Sequence, residues 1–134
     1  SLTFFWFAGG YPKPEWVDAA VPGDWKAPEF SVVQDLFPTK LTATATYVLP
    51  ATTAFEKSGT FVNAAGLAQT FVAAVRPPTE VRSELQLAFD MLGKKGLAQA
   101  TVVRGELASA VSAFKDLADV KLATTGRKLE LMTV

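Results

Sequence analysis

The feature that most constrains the fold is the alternation, along the N-terminal part of the chain, of short β-type runs with short helical pieces, each closed by proline or glycine. Leu2-Thr3-Phe4-Phe5-Trp6-Phe7-Ala8 is apolar and aromatic, and Gly9-Gly10-Tyr11-Pro12 follows it, as expected for a buried strand ending in a tight turn. Pro14-Glu15-Trp16-Val17-Asp18-Ala19-Ala20 has proline at a helix start and an acid in the first turn, and Pro22-Gly23 closes it, which predicts a short helix. Phe30-Ser31-Val32-Val33-Gln34 is a second strand and Ala45-Thr46-Tyr47-Val48-Leu49, before Pro50, a third, with about one helical turn of Thr and Ala between them. Strands separated by helical pieces predict parallel pairing in an α/β sheet.

Farther along, Thr60-Phe61-Val62-Asn63 and Ala68-Gln69-Thr70-Phe71-Val72-Ala73 flank Ala64-Ala65-Gly66, where a glycine can supply the positive φ of a hairpin loop. After Pro77-Pro78, Val81, Leu85, Ala88, Phe89 and Leu92 recur at helical spacing, with Ser83 and Gln86 in capping-box register and Gly93 just past the end. Val103, Leu107, Val111, Phe114 and Ala118 share one face of a second helix, in which Gly105 costs about 1 kcal/mol relative to alanine. Leu122 to Val134 contains Gly126 and the alternating Leu129-Glu130-Leu131, the pattern of a short edge strand. The 134 residues predict one α/β domain with a small, mainly parallel sheet, a β-hairpin and two C-terminal helices. Residues 1–78 supply strands, loops and hairpin, and 79–134 are mainly helical.

The chain has no cysteine and no histidine. Thiolate nucleophiles, disulfides and cysteine-held iron–sulfur clusters are excluded, as is a Ser-His-Asp system. With 13 basic and 13 acidic residues the formal charge is zero, so nothing supports nucleic-acid binding. The halves are nearly balanced as well, with 4 basic and 6 acidic groups in residues 1–60 and 9 and 7 in 61–134. Apolar runs are too short for a membrane-spanning helix. A strand-like run beginning at the second residue fits a segment cut from a longer polypeptide as well as a processed or naturally short terminus.

Gly9-Gly10 after a strand could cradle a phosphate, although neither the dinucleotide fingerprint nor a P-loop occurs, and a plain strand-to-loop turn is the stronger expectation. Asp35 and Glu56 could form an acid/base pair; the simpler expectation is that Asp35 caps the following turn and Glu56 accepts backbone hydrogen bonds. Lys94-Lys95 reads as solvated charge at a helix C-terminus. Trp6, Trp16 and Trp25 could form a ligand cradle, with Trp6 better assigned to the core.

Three motifs then occur in order: Val32-Val33-Gln34-Asp35-Leu36-Phe37-Pro38-Thr39; Ala45-Thr46-Tyr47-Val48-Leu49-Pro50-Ala51; and Glu56-Lys57-Ser58-Gly59-Thr60-Phe61-Val62-Asn63-Ala64-Ala65-Gly66-Leu67-Ala68-Gln69. Together they resemble the molybdopterin oxidoreductase superfamily. With the late helix carrying Glu106-Leu107-Ala108 they look most like the C-terminal end of the large peripheral-arm subunit of NADH-quinone oxidoreductases, the respiratory complex I enzymes. Formate dehydrogenase α-chains share the central motifs. The resemblance implies part of the formate dehydrogenase/DMSO reductase catalytic-domain fold, and loops that in catalytic relatives surround a molybdopterin guanine dinucleotide. Carried over, the cofactor-binding positions are Gly9, Gly10, Gln34, Asp35, Thr39, Glu56, Gly59, Asn63 and Gln69, with no catalytic and no metal-ligating residue. Where the family often has Gly-Asn-Pro, Thr-Glu-Thr-Ala, Ala-Asp and Gly-Arg, this chain has Gly10-Tyr11-Pro12, Thr39-Lys40-Leu41-Thr42, Ala45-Thr46 and Gly66-Leu67.

Those departures remove polar groups while glycines, prolines and apolar positions persist, so the resemblance implies a non-catalytic scaffold whose cofactor site is vestigial. Iron–sulfur clusters would lie only in N-terminal parts of such a protein. The implied partners are the rest of that large subunit and the other subunits of a complex held peripherally on the cytoplasmic side of a bacterial inner membrane. Faces covered there would be exposed in this chain as an apolar patch above roughly a few hundred Å², or hidden in a crystal dimer.

Overall fold

A computed structural model describes residues 2–118 and 125–129. Strand β1 (Phe4–Ala8), helix α1 (Pro14–Ala20), strand β2 (Phe30–Asp35), the short helix α2 (Lys40–Thr44) and strand β3 (Tyr47–Pro50) come first. They form a three-stranded parallel sheet in the order β1-β2-β3, with Phe4 opposite Phe30, Ala8 opposite Gln34, and Gln34 opposite Leu49. The parallel pairing expected from the strand–helix alternation is therefore present. Pro14 opens α1, where its missing N–H removes no helical bond. Thr39 caps α2 in a reciprocal box with Thr42. Both helices lie on one face of the sheet, burying Val17, Val33 and Leu41 together with Phe5, Phe7 and Trp25.

The hairpin follows as β4 (Gly59–Val62) and β5 (Leu67–Phe71), antiparallel, with Gly59 opposite Phe71 and Val62 opposite Ala68. Gly66 adopts φ 75°, as the loop requires. Helix α3 (Glu84–Met91) is capped by Ser83, whose side chain accepts from the Gln86 N–H, and Gly93 takes φ 66° just beyond it. The capping box is only half formed. The Gln86 side chain donates to Asp90 and to the Gly96 carbonyl and accepts from the Ala98 N–H, stapling the connection that follows α3.

Helix α4 (Ala100–Ala110) is shorter than the helical spacing through Ala118 predicts. Val111 turns to extended backbone (φ −129°, ψ 112°), and Ser112–Ala118 winds as a 3-10 helix. The tighter helix delivers Leu117 into a second cluster with Ala68, Ala108 and Leu129, against which Phe114 packs. The expected edge strand forms earlier than its alternation implies: β6 is Arg127–Lys128, paired antiparallel with β5. Leu129 is buried and its N–H donates to the Gly66 carbonyl, while Glu130 and Leu131 lie outside the described residues.

Large apolar side chains are exposed in several places, including Leu2, Phe55, Val72, Met91, Leu92 and Leu97. Among the described residues, no helix is long and apolar enough to cross a membrane.

Candidate functional site

In an open parallel sheet the carboxyl ends of the strands are where ligands bind, and here those ends are Ala8, Asp35 and Pro50. Four of the nine candidate positions meet there. The Gly9 N–H donates to the Gln34 carbonyl at 2.7 Å, extending the β1–β2 ladder. The Gly10 N–H, at φ 105°, donates to Asp35 Oδ1 at 3.0 Å. The same oxygen accepts from the Leu36 N–H at 2.8 Å, so one carboxylate pins two adjoining turns. Gln34, fully buried, donates from Nε2 to the carbonyls of Arg82 at 2.9 Å and Pro50 at 3.4 Å, which ties the sheet end to the segment before α3.

The other five candidates are spread out. Thr39 is the cap of α2. Glu56 accepts from the Thr53 N–H at 2.9 Å and closes the turn after β3. Gly59 lies under the Phe71 ring, where a Cβ would come within 2.7 Å of Cζ. Asn63 Oδ1 accepts from the Ala65 and Leu67 N–H groups inside the hairpin loop. Gln69 is exposed on β5. Asp35 and Glu56 thus act as turn acceptors, the simpler of their two expected roles. Trp16 and Trp25 border a cleft of about 440 Å³ beside α1, and Trp6 is not among its lining residues. Lys94 pairs with Glu106 and sits over the Phe89 ring.

Two larger clefts flank the Lys57–Glu84 ion pair (2.9 Å). One, of about 910 Å³, is bordered by Lys57, Arg82 and Arg104 and by Glu56, Glu84 and Asp90, so three positive and three negative groups leave it no excess positive charge. The other, of about 1140 Å³, opens beside Gly9 and Gly10 but is walled mainly by apolar groups such as Phe37, Phe55, Phe61 and Phe114. A pyrophosphate needs free N–H groups or excess positive charge. At the glycine turn both N–H groups are already engaged, and a carboxylate stands where an anion would dock. The described residues therefore do not by themselves fit a doubly phosphorylated dinucleotide. Nor do three or more His, Cys, Asp or Glu side chains gather anywhere among them as a metal site.

Sequence reasoning missed two residues here. Thr52, 1% exposed, follows β3, and its Oγ1 joins Gln34 Oε1 and Asp35 Oδ2 as buried polar atoms with no hydrogen-bond partner among the described residues. Arg104, 6% exposed on α4, donates to Thr60 Oγ1 at 3.1 Å and so fixes α4 against β4. A lone threonine carries no sequence signal. The arginine stands beside Gly105-Glu106 on a helix of mixed polarity, where nothing in the sequence separates it from a solvated charge.

No curated protein matches this sequence. The family model described as Molybdopterin oxidoreductase matches residues 2–94, from β1 through α3, and leaves α4 and β6 beyond the match. The parallel sheet, its three strand-end turns and the hairpin all fall inside that stretch, which covers more than half of the sequence, and the chain belongs to the molybdopterin oxidoreductase family.

Proposed function

We propose that the chain is a non-catalytic structural domain of a protein like the large peripheral-arm subunit of NADH-quinone oxidoreductases, part of a respiratory electron-transfer complex. The observation that carries this reading is the use of Glu56, Thr39 and Asn63 as backbone acceptors within their own turns, and of Asp35 as an acceptor shared by its own turn and the glycine turn after β1. The nine candidate positions then act as architecture inherited from a cofactor-binding ancestor. In this reading the exposed apolar side chains around Val72, Leu92 and Leu97 face the rest of that large subunit and its neighbours, on the cytoplasmic side of a bacterial inner membrane. Iron–sulfur clusters belong to parts of the protein outside this chain.

The test is metal analysis and nucleotide extraction on the full-length protein. Sub-stoichiometric molybdenum and tungsten with no guanine nucleotide is the expected result. One equivalent of either metal together with a guanine nucleotide would overturn it.

A second reading, favoured by the orphaned Gln34 Oε1, Asp35 Oδ2 and Thr52 Oγ1, is a segment that contributes to a molybdopterin guanine dinucleotide site in a formate dehydrogenase-like oxidoreductase. Buried acceptors are costly without donors, and the N–H edges of a pterin or guanine could supply them. A free-standing nucleotide module is the remaining option, and calorimetric titration of this chain with guanine nucleotides discriminates it. Absence of heat at millimolar ligand removes that option.

A further inference from the structure

One cleft stands apart from the strand-end site. It lies beside α1, holds about 440 Å³, within the range of about 300–1,000 Å³ usual for small-ligand sites, and shares only Tyr11 with the clefts at the strand ends. Five aromatic residues border it: Phe5, Phe7, Tyr11, Trp16 and Trp25. Phe5, Phe7 and Trp25 are held as an inner wall against the cluster of Val17, Val33 and Leu41. Tyr11 and Trp16 stand on its exposed side, 50% and 55% accessible, and meet edge to face with ring centroids 6.3 Å apart. Phe5 and Trp25 are likewise tilted, by 58° at 5.1 Å. Rings set at such angles wall a space from several sides, as coplanar rings would not.

We propose that this cleft binds a small quaternary ammonium ion of the choline class, free in solution, through cation–π contact. The face of an aromatic ring is negative and attracts a cation, most strongly for tryptophan, and two of the five rings are indoles. Apart from the indole N–H groups, the Tyr11 hydroxyl is the only polar side-chain group among the lining residues. A primary ammonium, with three N–H donors, therefore finds too few side-chain acceptors, whereas a quaternary ammonium has no donor to satisfy. No lysine or arginine lines the cleft to hold an anion. Residues 14–25, which supply both tryptophans, carry Glu15, Asp18 and Asp24 and no base, with Lys13 and Lys26 standing just outside. That surplus of carboxylate favours a cation over a neutral ligand of the same shape, and it disfavours the phosphate to which the ammonium of a choline lipid is attached.

Calorimetric and tryptophan-fluorescence titrations of the 134-residue chain with choline chloride, at constant ionic strength, test the proposal. The uncharged isostere dimethylbutanol, with carbon in place of the ammonium nitrogen, separates charge from shape. Saturable choline binding in the millimolar range is expected, with dimethylbutanol weaker by about tenfold. Trp16→Leu and Tyr11→Leu, both at exposed positions, should each weaken choline binding by about threefold or more with unchanged far-ultraviolet circular dichroism. Tyr11→Phe, which keeps the ring, and Phe61→Leu on the hairpin should bind as the parent does. With phosphatidylcholine vesicles the chain should stay in solution. No saturable choline binding, equal affinity for choline and dimethylbutanol, or leucine variants that bind like the parent would overturn the proposal. Co-sedimentation with the vesicles that Trp16→Leu abolishes would assign the ammonium to a lipid headgroup and overturn the free ligand. If a leucine variant fails to fold, the comparison of choline with dimethylbutanol on the parent chain decides.

Discussion

At Gly9 one methyl group decides whether the strand-end turn can form. A Cβ there would stand 2.7 Å from Asp35 Cγ and 2.8 Å from the Phe7 ring, and both neighbours are held from other directions. Gly9→Ala should therefore destabilise the chain by about 1–3 kcal/mol, the usual cost of overpacking, in urea unfolding. Gly23→Ala, where a Cβ meets nothing within 4 Å, serves as the comparison and should change stability by less than about 0.5 kcal/mol. Asp35 is the partner in the same turn. Asp35→Ala leaves the Gly10 and Leu36 N–H groups without their acceptor, for an expected loss of about 1–3 kcal/mol, while Asp35→Asn keeps an oxygen in place and should lose less. If the two variants melt together at the parent temperature, Asp35 is not what holds the turn.

Among the elements, the cap of α2 offers the most direct measurement. Thr39 accepts from the Thr42 N–H, and the Thr42 hydroxyl is 2.7 Å from the Thr39 nitrogen, so two orphan donors of a five-residue helix are satisfied reciprocally. Thr39→Ala should cost about 1 kcal/mol. The double variant Thr39→Ala, Thr42→Ala should cost less than the sum of the singles, because each removal disables the same box; strict additivity would count against reciprocal capping. The sequence displayed elements whose signals are local: proline at the start of α1, glycine at the hairpin and Ser83 before α3. It concealed what depends on distant contacts. The break after Ala110 has no glycine or proline to announce it, since burial of Leu117 against Ala68 and Leu129 replaces the α-helical path. The candidate site was legible to a similar depth. Gly9, Gly10, Gln34 and Asp35 converge because the parallel pairing of β1 and β2 brings their carboxyl ends together, yet Gln34 meets Arg82 48 positions away, a contact that no local pattern encodes.

On the scale of the whole molecule, the apolar interior is divided. Val17, Val33 and Leu41 form one buried cluster under the parallel sheet, and Ala68, Ala108, Leu117 and Leu129 form another under the hairpin; the two share no member. Polar links connect their surroundings: the Gln34 bond to Arg82, and the Lys57–Glu84 pair linking the turn after β3 to α3. Such bridges are weak beside a shared core. A partly exposed ion pair is worth about 1 kcal/mol or less, which a double-mutant cycle on Lys57 and Glu84 should return. The halves should then unfold with unequal free energies rather than as one unit. Val33→Ala, at a position 1% exposed, should lower stability of the parallel-sheet half by about 2 kcal/mol. Native-state hydrogen exchange should show faster opening at β2 and β3 amides, with β4 and β5 amides little changed. Equal acceleration in both sheets would mean that the polar bridges couple them as tightly as a common core, and the strand-end turns could then not be regarded as belonging to the parallel sheet alone.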